Sequence, residues 1–440
     1  MRSLYSFAIL LSLPLLLAYL SLRSRKAPAY RQRIAERFGR VQKWQKGAGR
    51  KRIWLHTVSV GEFLAAKGLC RELVASGYQL FITSTTTTGS NQVDVFIEEM
   101  AQKGFAKQIQ HSYFPLDIAF LVRPFLNKVD PDLVLFMETE IWPNILATLK
   151  KRKIPAALIN ARLSEKSFRG YRRVRWIARP AMESLAFIAV AELADLKRFS
   201  ALGVDRKSLH HTGNIKSTIK LTAEQKQQAK LLRTKCGYYR PFCVIAASTH
   251  DNEEAQVLKA YSQAKLHQAL LILAPRHPER FEPIYSLCKE AGLTPLRFTE
   301  LDRLEARHNV IVLDQLGVLL MLYGTADIAF IGGSLVPVGG HNFLEAAAWG
   351  IPLLSGPYLH NFASIVSVLE ECGALNIVRS PNELAARLSH YYSSPEDRFR
   401  AGDASLNYLY SQPDSLKLTK RLIESTLITV GKHQQHPTSP

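Results

Sequence analysis

At 440 residues, 47% hydrophobic and 21% charged, the chain can bury a large core, is long enough for two domains, and contains no low-complexity stretch. Its formal net charge of +20, densest before residue 50, implies a polyanionic partner: nucleic acid, anionic lipid or a phosphorylated substrate. The five cysteines (Cys70, Cys236, Cys243, Cys288, Cys372) are scattered and form no CxxC pair, so no zinc ribbon or disulfide framework is expected and the compartment reads as reducing.

Residues 4–22 (LYSFAILLSLPLLLAYLSL) carry no charge, about the length a helix needs to cross a ~30 Å hydrocarbon core. Arg23, Arg25, Lys26, Arg31, Arg33, Arg37 and Arg40 follow, with Glu36 the one acid among them. This asymmetry predicts a single membrane anchor with the body on the cytoplasmic side, held against anionic lipids. A cleaved signal peptide fits less well. Ala27-Pro28-Ala29 imitates its cleavage site poorly, and a basic cluster stands where small neutral residues belong.

The body begins with a strand at 52–56 (RIWLH), a helix at 62–76 ending on Gly77, and a strand at 78–83. The polar loop 84–90 leads into another helix, and strands follow at 133–137 (LVLFM) and 156–160 (AALIN). After the Lys/Gln-rich stretch 220–233 the pattern restarts, with strands at 242–247, 269–274, 310–313, 328–331 and 352–354. Alternation of apolar runs and amphipathic helices predicts an α/β fold of two Rossmann-like domains facing a cleft, with parallel sheets. The expected organisation is an anchor at 1–22, a basic juxtamembrane segment at 23–50, a first domain at 51–220, a second at 221–425 and a polar tail at 426–440.

Ligands of open α/β sheets bind at the carboxyl ends of the strands, so residues there are the candidates for chemistry. Ser59-Val60-Gly61-Glu62 leaves the first strand; Ser-x-x-Glu is also a helix capping box, with Glu62 expected to accept the Ser59 backbone N–H. Glu138 and Glu140 follow LVLFM, where carboxylates can orient a hydroxyl or stabilise positive charge. The run 83–89 (TSTTTTG) offers hydroxyls to a sugar, Thr86 among them, though threonines there also cap helices. In the second half Ser248-Thr249-His250 and Pro275-Arg276-His277 end two strands, placing amides and a guanidinium where a phosphate can be held. Gly332-Gly333-Ser334 and Gly339-Gly340-His341-Asn342 frame a loop entering a helix expected at 343–349. Asp130-Pro131-Asp132 matches a metal-binding DxD but precedes its strand and reads as a turn. Absence of GxGxxG and GxxxxGK[ST] argues against nicotinamide and P-loop enzymes.

Taken in order, RKAPAYR (25–31), HTVSVGE (56–62), METEIWPN (137–144), INARLS (159–164), STH (248–250), APRHPERF (274–281) and GGSLVPVGGHNFLEAAA (332–348) resemble the Kdo (3-deoxy-D-manno-octulosonic acid) transferases of lipopolysaccharide assembly. The resemblance implies a GT-B fold and inverting transfer of Kdo from CMP-Kdo to the lipid A precursor, lipid IVA, without a cofactor, a nucleotide-bound metal or nucleic acid. It makes Glu62 the catalytic base and assigns Glu138 and Lys216 to stabilising the transition state. Pro275, Arg276, Leu316-Gly317-Val318 and Asn342, Phe343, Leu344 and Glu345 match its CMP-binding segments; Ser248 and Thr249 are added for the donor, Thr86 and Glu140 for the acceptor. The chain departs from the family pattern at Leu316-Gly317-Val318, where Met-Gly-Glu is common, and at Phe343, where proline is common. The alternatives are a sugar-nucleotide epimerase on the same fold, disfavoured by the anchor, and a non-catalytic polyanion- or lipid-binding protein.

Overall fold

The computed structural model describes residues 5–7, 9–14, 33–215, 219 and 221–435. Residues 1–4, 8 and 15–22 of the expected anchor, residues 23–32 of the basic segment, Lys216 and residues 436–440 of the expected tail lie outside them. Among the described residues no helix is long and apolar enough to cross a membrane. The chain forms two compact units, Met1–Thr218 with Pro413–Pro440, and Ile219–Gln412.

The first unit is built on seven parallel strands, β1 (Arg52–Thr57), β2 (Gln79–Ser84), β3 (Ile109–Tyr113), β4 (Leu133–Met137), β5 (Ala156–Ala161), β6 (Phe187–Val190) and β7 (Leu209–His211), in the order β3-β2-β1-β4-β5-β6-β7. Helices cover both faces, so β1, β4 and β5 are buried throughout, with Arg52, His56, Thr57 and Asn160 among their otherwise apolar residues. Trp54 on β1 is fully buried, its ring 5.0–6.0 Å from those of Phe114, Phe125 and Phe136. Burying such a ring contributes on the order of 2–3 kcal/mol.

The second unit repeats the plan with β8 (Phe242–Thr249), β9 (Ala269–Pro275), β10 (Pro295–Arg297), β11 (Val310–Val312), β12 (Ile328–Ile331), β13 (Leu353–Ser355) and β14 (Leu375–Ile377) in the order β10-β11-β9-β8-β12-β13-β14. In each sheet the chain winds outward one way and then crosses back, leaving a topological switch point: β1 beside β4, and β8 beside β12. The loops that follow those four strands therefore diverge and open a crevice.

The final helix, Ser415–Gln435, belongs to the first unit, whereas the sequence reading ran the second domain to 425. Its Leu416, Ile423 and Leu427 are buried in the same apolar cluster as Phe63, Leu69 and Leu73 of helix Val60–Ala75. Gly68 permits this approach, since a Cβ there would lie 3.0 Å from Leu416.

Candidate active site

In the first unit the site grows from the switch point. Ser59 caps helix Val60–Ala75, its Oγ accepting the Glu62 N–H at 3.4 Å. The Glu62 carboxylate accepts the Val58 N–H at 2.7 Å and the Ser59 hydroxyl at 3.2 Å. The return bond thus comes from Val58, not from Ser59 as the capping-box reading had it; the turn puts the Val58 amide, not that of the cap residue, in reach of the carboxylate. Glu62 is thereby pinned at the end of β1.

Glu138, the first residue past β4, has φ 55, a left-handed conformation that a non-glycine residue adopts at a cost of about 1–3 kcal/mol and that gathers at functional sites. Glu140 lies two residues on and is partly buried. Burial, and next the charge of Glu62, push its carboxyl up to about 7, with Glu138 adding to the effect. Glu62, Glu138 and Glu140 are therefore one electrostatically coupled cluster. Tyr171 closes it from helix Glu165–Arg173, donating to the Thr139 carbonyl at 3.1 Å. Its phenol is pushed up to about 12 by burial and then by the Glu140 charge.

The motif INARLS supplies the frame. Asn160 sits at φ 50 where the β5–β6 register shifts, and its Oδ1 accepts the Ile215 N–H at 3.0 Å. That bond ties down the segment leading to Lys216. The Thr139 hydroxyl donates to the Arg162 carbonyl. Asn144 of METEIWPN is structural: with Ile145 it donates backbone N–H groups to Asp117 at 3.1 and 2.7 Å. Thr86 is likewise occupied as a cap, accepting the Gly89 N–H at 3.1 Å. Asp130 and Asp132 lie before β4, at the opposite edge of the sheet, where Asp132 accepts the Arg52 N–H at 2.7 Å and pairs with Lys46 at 2.7 Å.

Buried polar atoms without a partner among the described residues collect along this carboxyl edge: His56 Nε2, Thr57 Oγ1, Thr85 Oγ1 and Asn160 Nδ2. Such groups are normally satisfied in a folded protein, so a cluster of them marks where a polar ligand or water belongs. The His56 imidazole, stacked at 3.7 Å on Phe114 and pushed down to about 3 by burial, stays neutral at ordinary pH.

Beside these loops runs an apolar cavity of about 350 Å³ lined by Pro143, Ala147, Trp176, Ile177, Pro180 and Ala181, with Lys150 and Ser184 at its polar margin. The adjoining helices present Lys166, Arg169, Arg172, Arg173, Arg175 and Arg179. An apolar groove next to this density of cations suits an anionic lipid.

In the second unit Ser248 mirrors Asn160, with φ 56 at the register shift between β8 and β9. A cavity of about 140 Å³ is lined by Ser248, Pro275, Arg276, Leu316 and Gly317, with Phe281 and Leu313 behind them. Five of the donor-site residues expected from sequence are thus brought together. Thr249 does not join them through its side chain, being fully buried; its carbonyl accepts the Arg276 N–H at 3.0 Å. Phe343 and Leu344 face the core instead of a ligand, Phe343 packing at 5.8 Å on Phe362. The helix they open, Leu344–Ala347, is a single turn and shorter than expected. Val318 packs partly buried against the same core. Asn342 bonds Glu345 at 3.1 Å; burial raises the Glu345 carboxyl, while that bond and the charge of Arg276 oppose it.

Sequence reasoning passed over Glu253, which organises these loops. Its fully buried carboxylate accepts four backbone N–H groups, from His250 (3.2 Å), Gly333 (2.7 Å), Ser334 (3.0 Å) and Leu335 (2.8 Å). Gly332 makes this possible, since a Cβ there would fall 2.6 Å from the Ser248 carbonyl. One of several acids at a helix start, beside Asp251 and Glu254, looks like dipole compensation, and only the fold shows Glu253 bridging the loops of β8 and β12.

Residues 32–219 match the family model described as 3-deoxy-D-manno-octulosonic-acid transferase (kdotransferase). The chain is 35% identical over 429 residues to the 3-deoxy-D-manno-octulosonic acid transferase of Haemophilus influenzae, covering 97% of this chain and 99% of that one. It is 30% identical over 395 residues to that of Bordetella pertussis, covering 88% and 89%. Among solved structures, the UDP-GlcNAc 2-epimerase of Neisseria meningitidis is similar over 85% of this chain and 100% of its own, with TM-score 0.58 and 14% identity, a likeness that shows the two-Rossmann GT-B fold alone. With the motif residues gathered at two switch points and identity running almost end to end, the chain belongs to the 3-deoxy-D-manno-octulosonic acid transferase family.

Proposed function

We propose that this glycosyltransferase moves Kdo from CMP-Kdo to lipid IVA with inversion at the anomeric carbon, from the cytoplasmic face of the inner membrane. The observation that carries the reading is the near full-length identity to Kdo transferases. The three coupled carboxyls at the β1/β4 switch point give it a mechanism. Glu62 takes the proton of the acceptor hydroxyl as its oxygen attacks the anomeric carbon. The sugar then passes through an oxocarbenium-like state, whose positive charge Glu138 stabilises. Glu140 orients the acceptor. Lys216 and Arg276 meet the charge gathering on the departing phosphate, which is why no metal is needed for this step. Ser248, Pro275, Arg276, Leu316 and Gly317 hold CMP. The apolar cavity beside the basic helices supports a lipid acceptor, and the basic N-terminal segment supports contact with anionic lipids.

Incubating the protein with CMP-Kdo and lipid IVA, with mass spectrometry of the product, tests this directly; transfer should persist after EDTA treatment in metal-free buffer. Glu62→Gln separates base from cap. An amide still accepts the Val58 N–H but takes no proton, so transfer should fall at least ~10²-fold with an unchanged melting temperature. Near wild-type transfer by this variant would move the base to Glu138 or Glu140.

A further inference from the structure

His250, at the end of β8, and His341, in the loop after β12, approach until their Nε2 atoms are 2.8 Å apart, the rings within 3° of parallel. The His277 ring stands 5.3 Å from that of His250. Gly333 seats the His341 ring, since a Cβ there would lie 2.9 Å from it. At such a distance one proton lies between the two nitrogens, one N–H donating to the other's lone pair. A second proton between them would set N–H against N–H. The pair therefore accepts one added proton, at the free Nδ1 of the donating ring, and not two.

The groups around the pair hold it neutral while no anion is present. Burial, then the mutual effect of the two rings, then Arg276 and His277 push His341 down to about 4. Burial lowers His250 as well, with His277, Arg276 and Arg280 assisting and Glu253 opposing. Ser248, two residues before His250, and Arg276, which adjoins His277, line the 140 Å³ cavity. An anion arriving there would offset the Arg276 charge and favour the imidazolium.

We propose that the His250–His341 pair is an anion subsite of the donor cavity that takes up one proton when the phosphodiester or the sugar carboxylate of the nucleotide sugar binds beside it. This rests on the reading that the second unit holds CMP-Kdo. Binding is then linked to pH: donor affinity falls as pH rises, because the proton must be supplied from a scarcer pool.

The test is calorimetric titration of the full-length protein in two buffers of different ionisation enthalpy, with two probes. A cytidine 5′-methylphosphodiester carries a phosphate that does not titrate; CMP-Kdo adds the carboxylate. Uptake of up to one proton is expected in wild type, with affinity falling roughly three- to tenfold between about pH 6 and pH 8. Uptake with the diester assigns the subsite to phosphate; uptake with CMP-Kdo alone assigns it to the carboxylate. His341→Gln and His250→Gln keep a hydrogen-bonding side chain. They should match wild-type affinity near pH 8 and lose both the uptake and the pH dependence. Binding without uptake, or uptake that survives in both variants, overturns the proposal. Failure of both probes to bind wild type at any pH overturns the donor-site reading, and this inference with it.

Discussion

In water a glutamate ionises near pH 4.5, whereas Glu140, buried beside Glu62, does so near 7. Raising an acid's folded value above its unfolded one gives stability that is complete below pH 4.5 and is lost as pH rises through 7. At pH 8 the folded chain holds that charge at a cost of at most about 3 kcal/mol. Glu140→Gln should therefore raise the melting temperature at pH 8 and leave it unchanged near pH 4.5. Thermal unfolding at the two pH values decides this, and an equal shift at both would trace the effect to packing. The sequence placed two acids after LVLFM, and only the family resemblance gave Glu138 a role at the transition state and Glu140 one at the acceptor. The left-handed backbone of Glu138 and the charge of Glu62 on Glu140 distinguish the two, and neither is visible in a string of residues.

At the scale of elements, two connections hold the sites in place. Glu253 joins the start of helix Glu253–Gln263 to the glycine loop after β12 by accepting three of that loop's backbone N–H groups. Glu253→Gln turns an NH₂ group toward backbone N–H donors, and should cost about 2–4 kcal/mol and weaken CMP binding, measured by chemical unfolding and by titration. The helix Ser415–Gln435 packs on helix Val60–Ala75, which carries Glu62. Truncating the fully buried Ile423 to alanine should cost about 2–5 kcal/mol. If the last helix were dispensable to the first unit, the variant would unfold like wild type. The strands β1, β2, β4, β5, β8, β9, β11, β12 and β13 were legible because each is built on an apolar run; β6 (FIAV), short though apolar, was not. The edge strands β3 (IQHSY), β7 (LHH), β10 (PLR) and β14 (LNI) were not. Edge strands are short and mixed in polarity, so their pairing partners define them, not their own composition.

For the whole molecule, the charge of +20 and the uncharged run 4–22 are what support the proposal that the chain is held at an anionic membrane surface. Removing residues 1–22 should release most of the protein from membrane fractions while transfer to detergent-dispersed acceptor persists. What binding remains should fall with added salt, as exposed cations are screened. Fractionation of cells expressing each form checks this. Recovery from those cells of protein cleaved near Ala29 would refute the proposed cytoplasmic placement.

By itself the sequence determined the α/β class, the repetition of the Rossmann plan, the family and the addresses of the site loops. Apolar runs fix where strands lie, and the carboxyl end of a parallel strand is where chemistry must sit. Tertiary structure decided which of those residues meet. It set Phe343, Leu344 and Thr249 into the core, turned Thr86 into a cap, and returned the last helix to the first unit. It also assembled Glu253 and the histidine pair from segments about 80 and 90 residues apart. Such juxtapositions follow from strand order across a switch point, a property of the folded sheet that no local pattern of residues encodes.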